Sequence, residues 1–148
     1  APPTAGDAQV TKSILESLTE QRAGKRGVGV DVELTNAVNI KNSTFVERNF
    51  TAAEIEYCQA RPDPQASFTG RWSAKEAVFK AISSYGNIPS GGAGAPLKEI
   101  EIKSNQVGAP EVVLTGKVKK AAHSAGIKHI NVSISHSGAY SVAVALAQ

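Results

Sequence analysis

Hydrophobic residues along this chain switch between two periods. In VGVDVEL (28–34), Val28, Val30, Val32 and Leu34 alternate with Gly29, Asp31 and Glu33, the period of a β-strand. Asp31 and Glu33 therefore share one face, about 7 Å apart along the strand. Upstream, Ile14, Leu15 and Leu18 fall at helical spacing and predict a short amphipathic helix over 10–22. Asn42 or Ser43 can cap a short helix ending near Phe50, and Thr51-Ala52-Ala53-Glu54 is a capping-box pattern that opens a second helix to about Ala60. Arg61-Pro62-Asp63-Pro64 stops that helix, and a long one follows from about Ala66 to Ser84. Segment 85–96, with four glycines and two prolines, is a loop. Strands are expected over 99–103 and 111–114, then a basic amphipathic helix over 116–125 closed by Gly126. HINVSISH (129–136), a Ser137-Gly138 turn and AYSVAVALA (139–147) read as a hairpin. There is no internal repeat and no regular βαβ alternation, so the pattern predicts an α+β fold with an antiparallel sheet. Residues 1–26 read as a linker with a short helix, and 27–148 as the folded domain.

The long helix contains the main conflict between pattern and chemistry. WSAKEAVFKA (72–81) is apolar nearly all the way round, as in a buried helix, yet it carries Lys75, Glu76 and Lys80. Buried charges are costly unless paired or bound. Glu76 and Lys80 stand at i, i+4 and can pair. Lys75 adds a second cation, and surplus positive charge beside a carboxylate asks for a phosphate. Asp31, Glu33 and Glu76 together offer hard oxygen ligands of the kind Mg²⁺ takes alongside substrate phosphates. The plainer alternative places Asp31 and Glu33 on the solvated face of an edge strand. His136 ends its strand on the side of Val132 and Ile134, as a turn residue or a functional one. Ser133 and Ser135 point the other way, and no serine-protease spacing is present. Gly91, Gly92 and Gly94 either bring backbone N–H groups to a phosphate or form a linker. They do not belong to a Walker motif, and no Cys/His spacing suggests zinc.

Composition narrows the classes. The 148 residues suit one domain, with a net charge of +3 and pI ≈ 9.1, a mild bias toward acidic or phosphorylated partners. Aromatic residues make up 5%, which gives no obvious base-stacking surface, so nucleic acid is not an expected partner. No window approaches the roughly 20 apolar residues of a membrane span, and no signal peptide is visible. The single Cys58 cannot form an internal disulfide and sits in a helical pattern as a structural thiol. A reducing, cytoplasmic setting is expected. The chain has no Met, even at position 1, and so reads as an excised domain or processed fragment.

Four blocks, in order, carry a resemblance: GVGVDVE (27–33), ERNFTAAEIEYC (47–58), FTGRWSAKEAVFKA (68–81) and VSISHSGAYSVAVA (132–145). Together they resemble the 4′-phosphopantetheinyl transferases of the holo-acyl-carrier-protein synthase type, and within that family they look most like the transferase domains of fungal type I fatty acid synthases. The resemblance implies an antiparallel sheet packed on a long central helix. It implies transfer of 4′-phosphopantetheine from coenzyme A to a serine of an apo acyl carrier protein, with Mg²⁺ required and adenosine 3′,5′-bisphosphate released. Asp31 and Glu76 are then the implied metal ligands, and Glu33 matches a third acid found in larger members. Lys80 is similar to the lysine on the pyrophosphate. Glu76, Asp31 and Lys80 are the implied catalytic set, and Glu76, directly or through a metal-bound water, is a candidate to accept the serine proton. Arg61, Lys75 and His136 match positions near the coenzyme A phosphates, and Gly91, Gly92 and Gly94 border the nucleotide.

Small family members are homotrimers with the site between subunits, so a neighbouring copy is also expected, either in a homo-oligomer or within a fatty acid synthase. The small bacterial members carry several arginines where Thr35–Phe50 has only Lys41 and Arg48. Arg22, Lys25 and Arg26 are an alternative docking patch for the carrier. The competing reading is a non-catalytic coenzyme A-binding or structural module of a synthase assembly.

Overall fold

Glycine-rich and alanine-rich faces let the backbones of this protein approach closely, and that approach organises the fold. The computed structural model describes residues 26–85 and 97–148, together with residues 9, 12 and 13. Most of the helix expected over 10–22, Arg22 and Lys25, and the loop bearing Gly91, Gly92 and Gly94 lie outside the described residues.

The described elements are β1 (Gly27–Leu34), α1 (Ser43–Asn49), α2 (Ala52–Gln59), α3 (Pro64–Tyr85), a 3₁₀ turn (Leu97–Glu99), β2 (Ile100–Ser104), β3 (Pro110–Leu114), α4 (Gly116–Ser124), β4 (Ile130–Ser137) and β5 (Tyr140–Ala147). Helix α1 starts because the Asn42 side chain accepts from Phe45 N at 3.1 Å. Helix α2 opens on the reciprocal capping box of Thr51 and Glu54. Helix α3 begins two residues before the expected Ala66. Pro64 is its first residue, where a missing N–H costs nothing, and Asp63 Oδ1 accepts from Ala66 N at 3.1 Å.

Strands β1, β5 and β4 form one antiparallel sheet in that order, and β2–β3 form a separate hairpin. The β4–β5 register pairs Ser137 with Tyr140, so the turn is Gly138-Ala139, one residue later than the sequence suggested. Gly138 takes φ +60, which a two-residue hairpin with glycine first requires.

Helix α3 crosses the inner face of the three-stranded sheet. Ala74, Ala77, Val78, Ala81 and Ile82 pack there with Ala143, Ala145 and Ala147 of β5, and with Ile100, Ile102, Val118 and Ala122. A second core under α1 and α2 joins Val38, Val46, Phe50, Cys58 and Phe68, with the Phe50 ring edge-on to Phe68 at 5.2 Å. Cys58 is fully buried, and burial raises its thiol pKa, which suits the structural thiol expected.

The alternation in β1 is as expected, but its orientation differs from the plain edge-strand reading. Gly27, Gly29 and Asp31 are the buried positions. A Cβ at Gly29 would lie 1.9 Å from Ala77 O, so only glycine permits this contact between strand and helix. Val28, Val30, Val32 and Leu34 point outward and are about half exposed. With Tyr140 and Val144 of β5 they leave an apolar outer sheet face. Among the described residues, no helix is long and apolar enough to cross a membrane.

Candidate active site

Most of α3 is buried, but Trp72, Glu76, Phe79 and Lys80 form a partly open stripe along it. This stripe faces the inner edge of β1. Asp31 lies there, 8% exposed, and Ser73 Oγ donates to its backbone oxygen at 3.0 Å. Lys80 Nζ reaches across to Asp31 Oδ1 at 3.0 Å and donates to Val30 O at 3.1 Å. The i, i+4 pairing of Glu76 with Lys80 is therefore not the arrangement found, since the lysine bridges to the strand.

The three acids act on one another. Burial raises the Glu76 carboxyl, Asp31 adds to that, and Lys80 opposes it. Burial likewise raises Glu33, followed by the charge of Asp31 and a hydrogen bond with it, then the charge of Glu76. The Trp72 side chain, hydrogen-bonded to Glu33, pulls the other way.

Among the described residues, no three His, Cys, Asp or Glu side chains form a ready metal cage. The donors nevertheless fit a hard divalent cation. Asp31 Oδ2 is buried without a hydrogen-bond partner, and Glu33 and Glu76 beside it are pushed toward protonation by burial first and then by the charge of Asp31. A cation seated at Asp31 and Glu76, with Glu33 nearby, would take up that unused oxygen and relieve the repulsion. Waters and phosphates would complete its shell.

A cleft of about 420 Å³ opens toward the N-terminus of α3, on the face that carries Ala66, Ser67, Gly70 and Arg71 and not the face of Glu76 and Lys80. Arg61, Arg71 and His136 supply its cationic and imidazole groups, and Tyr57, Ser104 and Ile134 line it. The Tyr57 ring carries Arg71 over it at 3.9 Å and Arg61 at 5.4 Å. Arg71 is 7% exposed, donates through Nη2 to Ser104 Oγ at 2.9 Å, and keeps Nε buried without a partner. A hydrogen bond from the Ser104 side chain, and then the charge of Arg71, draw the Tyr57 phenol below its usual range, against the opposing effect of burial. A guanidinium with no carboxylate partner among the described residues is suited to an anion. His136 lies over Gly70, where a Cβ would come within 3.0 Å of its ring.

Lys75 requires a correction. The sequence places it near coenzyme A phosphates, but it is fully buried and does not face the cleft. Its ammonium pairs with Glu54 Oε1 at 2.6 Å and donates to Asn49 O at 2.9 Å and Leu97 O at 3.0 Å. All three protons are used, so the surplus charge inferred from the sequence is already neutralised. Burial lowers the Lys75 pKa, and Glu54 opposes that. Glu54 also accepts from Thr51 N and Ile102 N, which ties α2, α3 and β2 together.

The structure thus brings Asp31, Glu76 and Lys80 together beside Glu33, and sets Arg61 with His136 in a cleft on another face of α3. Sequence reasoning missed Arg71, Tyr57 and Ser104, and saw Glu54 only as a helix-capping residue. The available signal was Arg71 itself, an arginine on a helix otherwise expected to be buried.

Residues 27–145 match the model of the 4′-phosphopantetheinyl transferase superfamily. The chain is 55% identical over 139 residues to the fatty acid synthase subunit alpha of Schizosaccharomyces pombe, and 51% identical over 136 residues to that of Saccharomyces cerevisiae. These matches cover 94% and 92% of the chain but 7% of each relative's length. Among solved structures, it is similar to the Chronobacterium ammoniagenes ACPS–CoA complex, with TM-score 0.71, 30% identity, and coverage of 84% of this chain and 98% of that one. It is also similar to the holo-ACP-synthase of Plasmodium yoelii, with TM-score 0.69, 28% identity, and coverage of 84% and 94%. The acid–lysine cluster on β1 and α3 thus lies in a fold shared with those enzymes, and the chain belongs to the 4′-phosphopantetheinyl transferase superfamily.

Proposed function

We propose that this chain transfers the 4′-phosphopantetheine arm of coenzyme A to a serine hydroxyl of an apo acyl carrier protein, releasing adenosine 3′,5′-bisphosphate. The observation that carries this reading is the acid–lysine cluster, where Lys80 Nζ meets Asp31 Oδ1 at 3.0 Å and Asp31 Oδ2 is buried without a hydrogen-bond partner. Arg71 and Glu76 are five residues apart, about 140° around α3, so the basic cleft and the acid–lysine cluster lie on different faces, and one elongated phosphate ester would meet both where two copies adjoin. The bound coenzyme A in the similar Chronobacterium ammoniagenes structure supports the choice of donor.

Phosphoryl transfer of this kind needs alignment and charge neutralisation more than covalent help. Arg61, Arg71 and His136 hold the nucleotide end. Lys80, half exposed at the mouth of the cluster, offsets charge that grows on the leaving phosphate oxygen. Glu76, whose burial raises its pKa, accepts the proton of the attacking serine. A carboxylate has two oxygens, so Glu76 can serve a cation with one and the serine hydroxyl with the other. Asp31 and Glu76, with Glu33 in reach, would hold Mg²⁺, which when bound supplies Lewis-acid neutralisation of phosphate oxygens.

The working unit contains more than one copy. The outer face bearing Val28, Val30, Val32, Leu34, Tyr140 and Val144 supports self-association, because apolar patches of this kind mark interaction sites. The natural setting is a fatty acid synthase in the cytoplasm, and the lone buried Cys58 suits a reducing compartment. Carrier docking rests on few cations near α1, Lys41 and Arg48, and tethering to the carrier would raise its effective concentration.

Incubating the protein with coenzyme A, Mg²⁺ and an apo carrier tests this reading. The carrier gains the mass of the arm if it is correct. Coenzyme A binding without mass gain would favour the non-catalytic module instead. For the base assignment, single-turnover rates of Glu76→Gln at checked metal occupancy should fall; an unchanged rate excludes it.

A further inference from the structure

On the inner face of the sheet, Ser141 of β5 sits opposite His136 of β4 and, on its other side, opposite Glu33 of β1. Its hydroxyl lies 2.9 Å from His136 Nδ1, and Ser141 is fully buried. The rest of that face of β5 is Ala143, Ala145 and Ala147, so Ser141 is the one hydroxyl among methyl groups. Beneath the imidazole, Gly70 leaves room for its Cε1–Nε2 edge, since a Cβ there would stand 3.0 Å and 3.2 Å from those atoms. The ring is held at Nδ1 and seated over Gly70, while its open side lines the basic cleft beside Arg61 and Arg71.

We propose that Ser141 is a positioning residue that fixes which nitrogen His136 presents to the cleft. No other partner for the buried Ser141 hydroxyl is found among the described residues. Donating its proton to Nδ1 satisfies both groups. Nε2 then carries the ring proton, and the cleft receives an N–H donor. The opposite tautomer would offer an anion a lone pair, and a phosphate oxygen would be repelled. The hydroxyl can also accept from an Nδ1–H, so Ser141 stays bonded in either direction of that hydrogen bond. The inference rests on the reading above, in which the cleft holds a coenzyme A phosphate. It adds that the serine, itself out of contact with that ligand, sets the imidazole's role.

The test separates the two. Imidazole ¹⁵N shifts are recorded without ligand at about pH 8.5, where ordinary imidazoles are neutral, with the His136 signals assigned by their loss in His136→Gln. The native protein should show His136 protonated at Nε2, with a nuclear Overhauser contact from its Hε1 to the Gly70 α-protons. Ser141→Ala, which matches the neighbouring alanines, should lose that contact and mix the tautomers. The KM for coenzyme A should rise roughly threefold to tenfold with kcat little changed. In His136→Gln, whose amide N–H replaces Nε2–H, Ser141→Ala should add nothing further. Protonation at Nδ1 in the native protein, or unchanged spectra in Ser141→Ala, overturns the proposal. So does an altered spectrum with unchanged KM. If Arg71→Ala also leaves KM unchanged, the assignment of the cleft to coenzyme A falls with it.

Discussion

Lys80 Nζ stands 3.0 Å from Asp31 Oδ1, joining the exposed stripe of α3 to the buried face of β1. The lysine side chain is 50% exposed and the aspartate 9%. A pair with one partner so open to water adds less than about 1 kcal/mol to stability. Lys80→Ala should therefore leave the urea midpoint nearly unchanged while single-turnover transfer falls about a hundredfold. A large loss of stability with normal transfer would assign the lysine to the fold.

The crowding of Glu33 and Glu76 predicts a pH dependence in metal-free protein. Both carboxyls are raised above 4.5, chiefly by burial. Their stabilising contribution is present below the unfolded pKa and is lost as pH rises through the folded values. Denaturant midpoints in chelator should therefore fall as pH is raised from about 4.5 toward neutrality. Glu76→Gln should flatten that slope, and Asp31→Asn should reduce it without abolishing it, since burial is the larger cause.

The Lys75–Glu54 pair should behave as a buried ion pair. Lys75→Met leaves Glu54 charged and without its cation, at a cost of about 3–5 kcal/mol. Glu54→Leu alone should cost a similar amount. The double variant should be less destabilised than the sum of the two. Urea unfolding of the four proteins measures the coupling, and strict additivity would contradict it.

Gly29 sets the distance between β1 and α3. In Gly29→Ala the new methyl meets Ala77 O at 1.9 Å, and neither backbone can yield cheaply. Stability should fall by about 3 kcal/mol. Asp31, two residues along, should be displaced from Lys80 and Glu76, so transfer should fall in the fraction that still folds. An unaffected crystal position of Asp31 would disprove the coupling.

Val30 pairs with Val144 in the centre of the apolar outer face. Both are about half exposed, so Val30→Lys should change the stability of a single copy by no more than about 0.5 kcal/mol. It should shift sedimentation to a lighter species and lower transfer. If the native protein sediments as one copy at full activity, the multi-copy unit is wrong.

Local signals in the sequence were reliable where the physics is local. Asn42, the Thr51–Glu54 box, Gly126 and the β4–β5 alternation each act within a few residues of themselves, and each element formed where expected to within two residues. The grouping of Asp31 with Glu76 came from their chemistry as hard oxygen ligands, and the four-block resemblance singled it out from the solvated-edge alternative, since no periodicity links residue 31 to residue 76. What stayed hidden depended on partners distant in sequence. Lys75 finds Glu54 across 21 positions, and a helical wheel cannot tell a paired interior lysine from one awaiting a ligand. Arg71 is defined by Tyr57 and Ser104, which come from two other elements. The valines of β1 mark an apolar face, but that face points away from α3. Alternation reveals that two faces differ without saying which one a helix will cover.

That outward orientation affects the lifetime of a solitary copy. Among the described residues strand β1 ends its sheet, and side chains of Lys80 and Ser84 reach the backbone oxygens of Val30 and Val28 beside a row of branched hydrocarbon. Such an edge can template further strands from other chains. A mate laid over the ridge would shield it, so quaternary assembly would protect this protein against fibrillar loss as well as enable it to work.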